Sequence, residues 1–278
     1  VEDPGRTAAD AGARSVSRAG AWDVSGYLAF AGERARPFAD LVARIGGPPP
    51  ASVVDLGCGQ GGPAASLARR WPEALVVGVD SSPEMLAAAA AHAVPGRLEF
   101  VDGDVRDWSP AGPVDVVVSN AVLHWVPGHD RLLARWAGWL RPGGRLAVQV
   151  PGNFRAPTHT VLAGLCRSPA WADRLAAAAP VPDAVLEPAG YFDVLSAAGL
   201  SADVWETTYL HVLTGDDPVL AWVRSTVLRP VLALLPDDDA EAFTAEYAAG
   251  LRAAYPRRAD GTTLLHFRRV FAVATRPS

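Results

Sequence analysis

Three acids, a glycine loop, a histidine–tryptophan pair and a scatter of arginines are the residues of this chain whose types and spacing can do chemistry. The stretch Asp55-Leu-Gly-Cys-Gly-Gln-Gly-Gly62 follows the β-branched pair Val53-Val54 and precedes an amphipathic segment, Pro63 to Arg70. A strand, a tight glycine turn and a helix in that order bring backbone close to a nucleotide-like ligand at the C-terminal edge of a parallel sheet. Gly57, Gly59 and Gly62 satisfy the G-x-G-x-x-G spacing, which alone suits NAD as well as other adenosyl ligands. Asp80 closes the next apolar run. There one carboxylate can accept from both hydroxyls of a ribose, or simply cap a helix.

Asp55 and Asp104 separate the ligands. An acid at the head of the loop repels a pyrophosphate and attracts a ligand that carries an ammonium and a sulfonium. Asp104, in Val101-Asp-Gly-Asp-Val105, can accept from an adenine N6 amine, with the Val105 N–H donating to the ring. A solvated turn with three acids is the plainer reading of Asp102, Asp104 and Asp107. The set Asp55, Gly57, Cys58, Gly59, Asp80, Ser81, Asp104, Val105 and Asn120 therefore reads as a site for S-adenosylmethionine. Cys58 occupies a place that needs a small side chain, and Met85 either packs on adenine or belongs to the core.

These residues need a scaffold. Five apolar runs, at 52–56, 75–79, 98–101, 114–119 and 145–150, recur at the spacing of βαβ units. Runs such as Val116-Val117-Val118 predict strands covered on both faces, hence an α/β fold with a mostly parallel sheet. Helices are predicted over 22–45, from Ser82-Pro83-Glu84 onward, over 131–140 and over 191–198. Two long strands follow, at 203–212 and 264–274, with a mostly helical insert, 214–261, between them. The first twenty residues, polar and without an apolar stretch, are expected to be a disordered tail, and 21–278 a single domain.

Composition narrows the function. A net charge of −5 and a pI near 5.7 leave no basic excess for nucleic acid or an anionic membrane. Every Lys/Arg-type cation is an arginine. Cys58 and Cys166 lack ligand spacing, as do His159, His211 and His266, so neither a disulfide framework nor a metal is expected. No run approaches a membrane span, and a cytoplasmic location without an obligate protein partner is expected.

The order Asp55-Leu-Gly-Cys-Gly, Asp80, Asp104-Val105, Ser119-Asn-Ala-Val-Leu-His-Trp125 and Leu140-Arg-Pro-Gly-Gly144 resembles class I S-adenosylmethionine-dependent methyltransferases. From about Trp22 to Arg276, with Pro157-Thr-His159, Tyr191-Phe-Asp193, Val204-Trp205, Tyr209 and Leu228-Arg-Pro230, the chain is similar to trans-aconitate 2-methyltransferases. The resemblance implies a Rossmann-like, seven-stranded sheet whose last strand is antiparallel. It also implies a lid contributed by 21–45, 151–190 and 214–261, with Tyr27 and Arg34 reaching the donor's methionine carboxylate; Tyr27 can equally be core. The implied reaction is methyl ester formation on a small tricarboxylic acid. An ionised carboxylate needs no general base, so His124, Trp125 and Arg229 are expected to position the acceptor. Asn153, Tyr209, Trp222 and Arg229 are expected to line its site, with Arg155, Arg224 and Arg268 as further cations. Family members can carry Gln in place of His124, which favours a hydrogen-bonding role. The alternatives are an O-methyltransferase using His124 as base on a hydroxyl, and an NAD-dependent oxidoreductase.

Overall fold

A computed structural model of the chain describes residues 31–278. One seven-stranded sheet has the order β3-β2-β1-β4-β5-β7-β6. β1 (Ser52–Leu56), β2 (Leu75–Asp80), β3 (Leu98–Asp102), β4 (Val114–Asn120) and β5 (Leu140–Pro151) are parallel. β7 (Thr263–Thr275) runs antiparallel between β5 and β6 (Ser201–Leu213). All seven expected strands are present, including the antiparallel last one.

The apolar runs are continuous because both faces are covered. Val116 and Val118 enter a core with α1 (Ala31–Ala43) and α2 (Gly62–Arg70), while Val117 enters a second core with Trp136 and Tyr191. Those two aromatics belong to α4 (Asp130–Ala137) and α7 (Pro188–Ala197). α3 (Pro83–Ala89) starts as its sequence predicts, with the Ser82 hydroxyl accepting from the Met85 N–H at 3.3 Å.

The element predicted over 131–140 ends earlier. α4 stops at Ala137, and Leu140 already pairs with Val114. Arg141 to Gly144 form a bulge within β5, between the pairs Val114↔Leu140 and Val116↔Arg145. Gly143, at φ 74°, lets the strand make that detour.

The sheet's far end differs from its body. β5 ends at Pro151, opposite Arg269, but β6 and β7 continue to pair out to Leu213↔Thr263. The hairpin therefore overhangs the C-terminal edge of the parallel strands. Its tip residues Leu213 and Leu265 join a third core with α5 (Pro157–Cys166), α6 (Ala172–Leu175), α8 (Pro218–Arg224), α9 (Arg229–Leu232) and α10 (Asp237–Ala254). The insert between β6 and β7 is helical, as expected. Among the described residues no helix is long and apolar enough to cross a membrane.

Candidate active site

The glycine loop is tied to the end of β2. The N–H groups of Gly57 and Cys58 both donate to the Val79 carbonyl, at 2.8 and 3.0 Å. Gly57 has φ 75°, and a Cβ there would lie 2.2 Å from Val122 Cγ2, so only glycine fits. Gly59 also has a positive φ, 54°, but a Cβ there meets nothing within 4 Å. Its backbone borders open space. Gly59 N–H donates to Asp80 Oδ2 at 2.8 Å, and Ser82 N–H to Oδ1 at 3.0 Å. Asp80 thus holds the loop and α3 together, and each oxygen retains acceptor capacity.

Asp55 is only 1% exposed, and its Oδ2 has no hydrogen-bond partner among the described residues. Burial, then the charge of Asp80, raises its carboxyl to about 7. A desolvated, unpartnered carboxylate is costly to maintain, and a ligand ammonium meets that need. Asn120 Oδ1, at the end of β4, is likewise buried without a partner among the described residues. These two acceptors beside an open glycine backbone and Asp80 fit the amino-acid and ribose parts of an adenosyl sulfonium ligand.

The remaining expected ligand residues divide. Cys58 is buried beside Gly78 and its thiol is pushed up by burial, consistent with a packing role. Ser81 is exposed directly after Asp80, and Met85 is partly buried in the first turn of α3. Asp104 is committed locally. Both its oxygens take hydrogen bonds from Arg106, at 2.9 Å from Nε and 2.5 Å from a terminal nitrogen, which holds its carboxyl below the usual range. Val105 is buried in the second core. Tyr27 lies outside the described residues, as does the side chain of Arg34.

One feature near the loop has no sequence signal. Ala121 takes φ 57°, an outlier for a residue with a Cβ. Its N–H donates to Gln149 O at 2.8 Å, fixing the turn that brings Val122 against Gly57 and leads to His124. Such strain costs about 1–3 kcal/mol and gathers at functional turns.

His124 lies in a single 3-10 turn, Leu123–Trp125, with its ring 4.6 Å from that of Trp125 and 6.2 Å from Phe154. Its Nδ1 is buried without a partner among the described residues. Burial, then Arg269, His159 and His129, lowers it to about 3, so at neutral pH the imidazole is uncharged and weakly basic. Phe154 in turn contacts His159, at 4.9 Å between rings, which burial lowers to about 4. Trp125 is exposed beside His124. Asn153, past the end of β5, is buried; its Oδ1 accepts from Arg268 N–H at 2.7 Å, and its Nδ2 has no partner among the described residues. With Phe154, Thr208 and Arg268 it lines a cavity of about 300 Å3.

The other expected acceptor residues are placed differently. The Tyr209 hydroxyl donates to Asp40 Oδ2 at 2.6 Å, fastening β6 to α1. Trp222 is buried against His211, at 4.5 Å, and Phe267, at 5.5 Å. Arg229 opens α9, partly buried between Leu228 and Val231 of the third core. Arg155 pairs with Asp183, Arg268 with Glu187 and Glu206, and Arg224 is exposed. The buried cation near His124 is Arg269, 8% exposed, which the sequence reading passes over. Alternation along β7 puts it on the same face as Phe267 and Phe271, a signal that distinguishes it from Arg268.

Residues 53–144 match a family described as "Methyltransferase domain". The trans-aconitate 2-methyltransferase of Streptomyces avermitilis is 56% identical over 259 residues, spanning 91% of this chain and 96% of its own. The chain belongs to the trans-aconitate 2-methyltransferase family. Members from Streptomyces coelicolor, 54% identical over 92% of this chain and 87% of their own, and from Mycobacterium tuberculosis, 49% over 91% and 96%, extend the match. Solved structures share the fold. YcgJ of Bacillus subtilis superimposes with a TM-score of 0.59 at 14% identity, covering 87% of this chain and 99% of its own. A Bacillus halodurans methyltransferase, described as putative, gives 0.58 at 13% identity over 87% and 100%. Membership in the trans-aconitate 2-methyltransferase family sets aside the oxidoreductase alternative.

Proposed function

We propose that this protein transfers the methyl group of S-adenosylmethionine to a carboxylate oxygen of trans-aconitate, forming a methyl ester. The observation that carries the donor half is the buried Asp55 oxygen, without a partner among the described residues, beside the open Gly59 backbone and Asp80. When bound, S-adenosylmethionine supplies a methyl carbon activated by an adjacent sulfonium. Asp55 and Asn120 receive the donor's amino-acid end, Gly59 gives it room, Gly57 lets the loop pack against Val122, and Asp80 takes the ribose hydroxyls. Ser81, Met85, Asp104 and Val105 border the adenosine, and Arg106 has to share or yield Asp104 there.

The acceptor half follows from His124. A group held near 3 is a poor proton acceptor at neutral pH, which supports an acceptor that is already ionised. A carboxylate with a pKa of roughly 4 meets that condition. His124 then donates or accepts one hydrogen bond, Trp125 and Phe154 wall the acceptor, and Asn153 offers its amide. The third core, with Arg229 and Trp222, forms the lid that excludes water, so rate comes from alignment along the S–CH3 axis.

The test is incubation with methyl-labelled S-adenosylmethionine and a panel of di- and tricarboxylic acids, followed by mild alkali. The reading expects label in trans-aconitate that alkali releases. Label confined to alkali-stable ethers on hydroxyl acceptors would contradict it.

A further inference from the structure

The cavity of about 300 Å3 beyond the end of β5 has walls suited to an anion. Asn153 forms one of them and is 3% exposed. Its Oδ1 accepts from the Arg268 N–H at 2.7 Å. Only the oxygen of an amide can accept from an N–H, so the orientation of the group is fixed and Nδ2 is the end left over. That nitrogen is buried and has no partner among the described residues. Buried donors without partners are costly, and a ligand that offers acceptors removes the cost.

The charges around the cavity agree with that. Arg155 borders it, and its ion pair with Asp183 is exposed on both sides, at 70% and 79%. Exposed pairs hold weakly, so this guanidinium can turn to another anion. Ala156 also borders the cavity and is the N-cap of α5, without a side-chain cap; the positive end of that helix faces an anion favourably. Glu187 is the acid of the lining, and Arg268 donates to both its oxygens, which offsets its charge. The cavity adjoins the acceptor end of the site. Phe154 lines it, and the Phe154 ring lies 6.2 Å from that of His124. One aromatic ring separates the cavity from the imidazole.

We propose that this cavity seats a carboxylate of the acceptor that is not esterified, with the Asn153 amide as its fixed donor and Arg155 as its countercharge, so that Asn153 selects polycarboxylates. The proposal rests on the reading of the protein as a carboxyl methyltransferase and adds the place of the second carboxylate. Phe154 then stands between the seated carboxylate and the one that reacts beside His124.

Two substitutions separate this role from a structural one. Asn153→Asp keeps the oxygen that the Arg268 N–H needs and replaces the leftover NH2 by a second oxygen; Asn153→Ala removes both. Each is compared with the wild type at about pH 8, where the introduced carboxyl is ionised. The measurements are S-adenosylhomocysteine affinity by calorimetry, KM and kcat for trans-aconitate, and the affinity, with S-adenosylhomocysteine present, for trans-aconitate and the three dicarboxylates made by deleting one carboxyl group at a time. Asn153→Ala is expected to weaken trans-aconitate binding and raise its KM by about 10- to 100-fold. Asn153→Asp is expected to raise it by about 100-fold or more, because like charges then meet, with S-adenosylhomocysteine affinity unchanged in both. One dicarboxylate, lacking the seated group, binds the wild type more weakly than trans-aconitate does, and Asn153→Ala leaves its affinity unchanged. An unchanged KM in either variant, tighter binding in Asn153→Asp, an equal loss across all four acids, or loss of S-adenosylhomocysteine binding in both variants overturns the assignment alone. A wild type that esterifies none of the four acids overturns the functional reading and the assignment with it.

Discussion

The proposed donor edge and the proposed acceptor edge of this sheet are built in different ways. The donor edge is contiguous: loop residues 57–62 follow β1, Asp80 follows 21 positions after Gly59, and the contacts between them are backbone N–H groups on one carboxylate. The acceptor edge is assembled from afar. It joins His124 after β4, Asn153 and Phe154 after β5, the overhanging half of the β6–β7 hairpin, and helices on either side of β6. Backbone geometry fixes the first, so substitutions there act on donor affinity or on folding. Side chains from several distant elements line the second, so substitutions there are expected to act on which acid is accepted.

The sharpest way to break that comparison is at Asp80. Asp80→Ala removes the partner of the Gly59 and Ser82 N–H groups together with the ribose acceptor. Its S-adenosylhomocysteine affinity, read by calorimetry, is expected to fall by about two orders of magnitude, as for the loss of two charge-assisted hydrogen bonds. A loss under threefold would dissolve the donor edge as described.

The two strained glycines then separate folding from binding. Gly57→Ala puts a Cβ 2.2 Å from Val122 Cγ2 and is expected to cost about 2–4 kcal/mol of stability in urea unfolding. Gly59→Ala meets open space and is expected to cost only about 1 kcal/mol, while weakening the donor because its methyl occupies the donor's side of the loop. Equal stability losses, with equal donor affinity, would mean that the open face of Gly59 is not the cradle.

The smallest of these effects is in pH. With its folded carboxyl raised to about 7 from 3.8, ligand-free Asp55 keeps its proton where the unfolded chain has lost it. That group's contribution to stability is therefore full below about 4 and declines as pH rises toward 7. An ammonium ligand requires the ionised form, so donor binding releases the proton. S-adenosylhomocysteine affinity is expected to fall by up to about tenfold per pH unit below 7, with no such slope in Asp55→Asn. A slope that survives in Asp55→Asn assigns the proton to another group.

The same contrast explains what was legible in the sequence. Strands covered on both faces leave uninterrupted apolar runs, so β1 to β4 could be read to within a residue or two. The residues of the proposed donor site stand out in the sequence because strand, glycine turn and acid are consecutive. The strand-end position of Asp104 suggests an adenine contact, but Arg106, two residues on, holds both its oxygens. Ala121 leaves no trace, since nothing in an alanine announces φ 57°. The resemblance implies an acceptor role for Tyr209, but its hydroxyl donates to Asp40, 169 positions earlier, a pairing no local pattern encodes. Arg268 and Arg269 are neighbours in sequence, and only the two-residue alternation with Phe267 and Phe271 tells the buried one from the exposed-face one. The bulge at 141–144 looked like a turn before a strand because proline and glycines serve both.

The central claim is that ester formation here needs alignment and no general base. It is tested most directly by kcat on trans-aconitate, with both substrates saturating, for wild type and His124→Gln. A glutamine keeps a hydrogen bond and loses only the basic nitrogen, so kcat is expected to stay within about tenfold. A loss of 10²-fold or more, the size of a missing general base, would contradict the account.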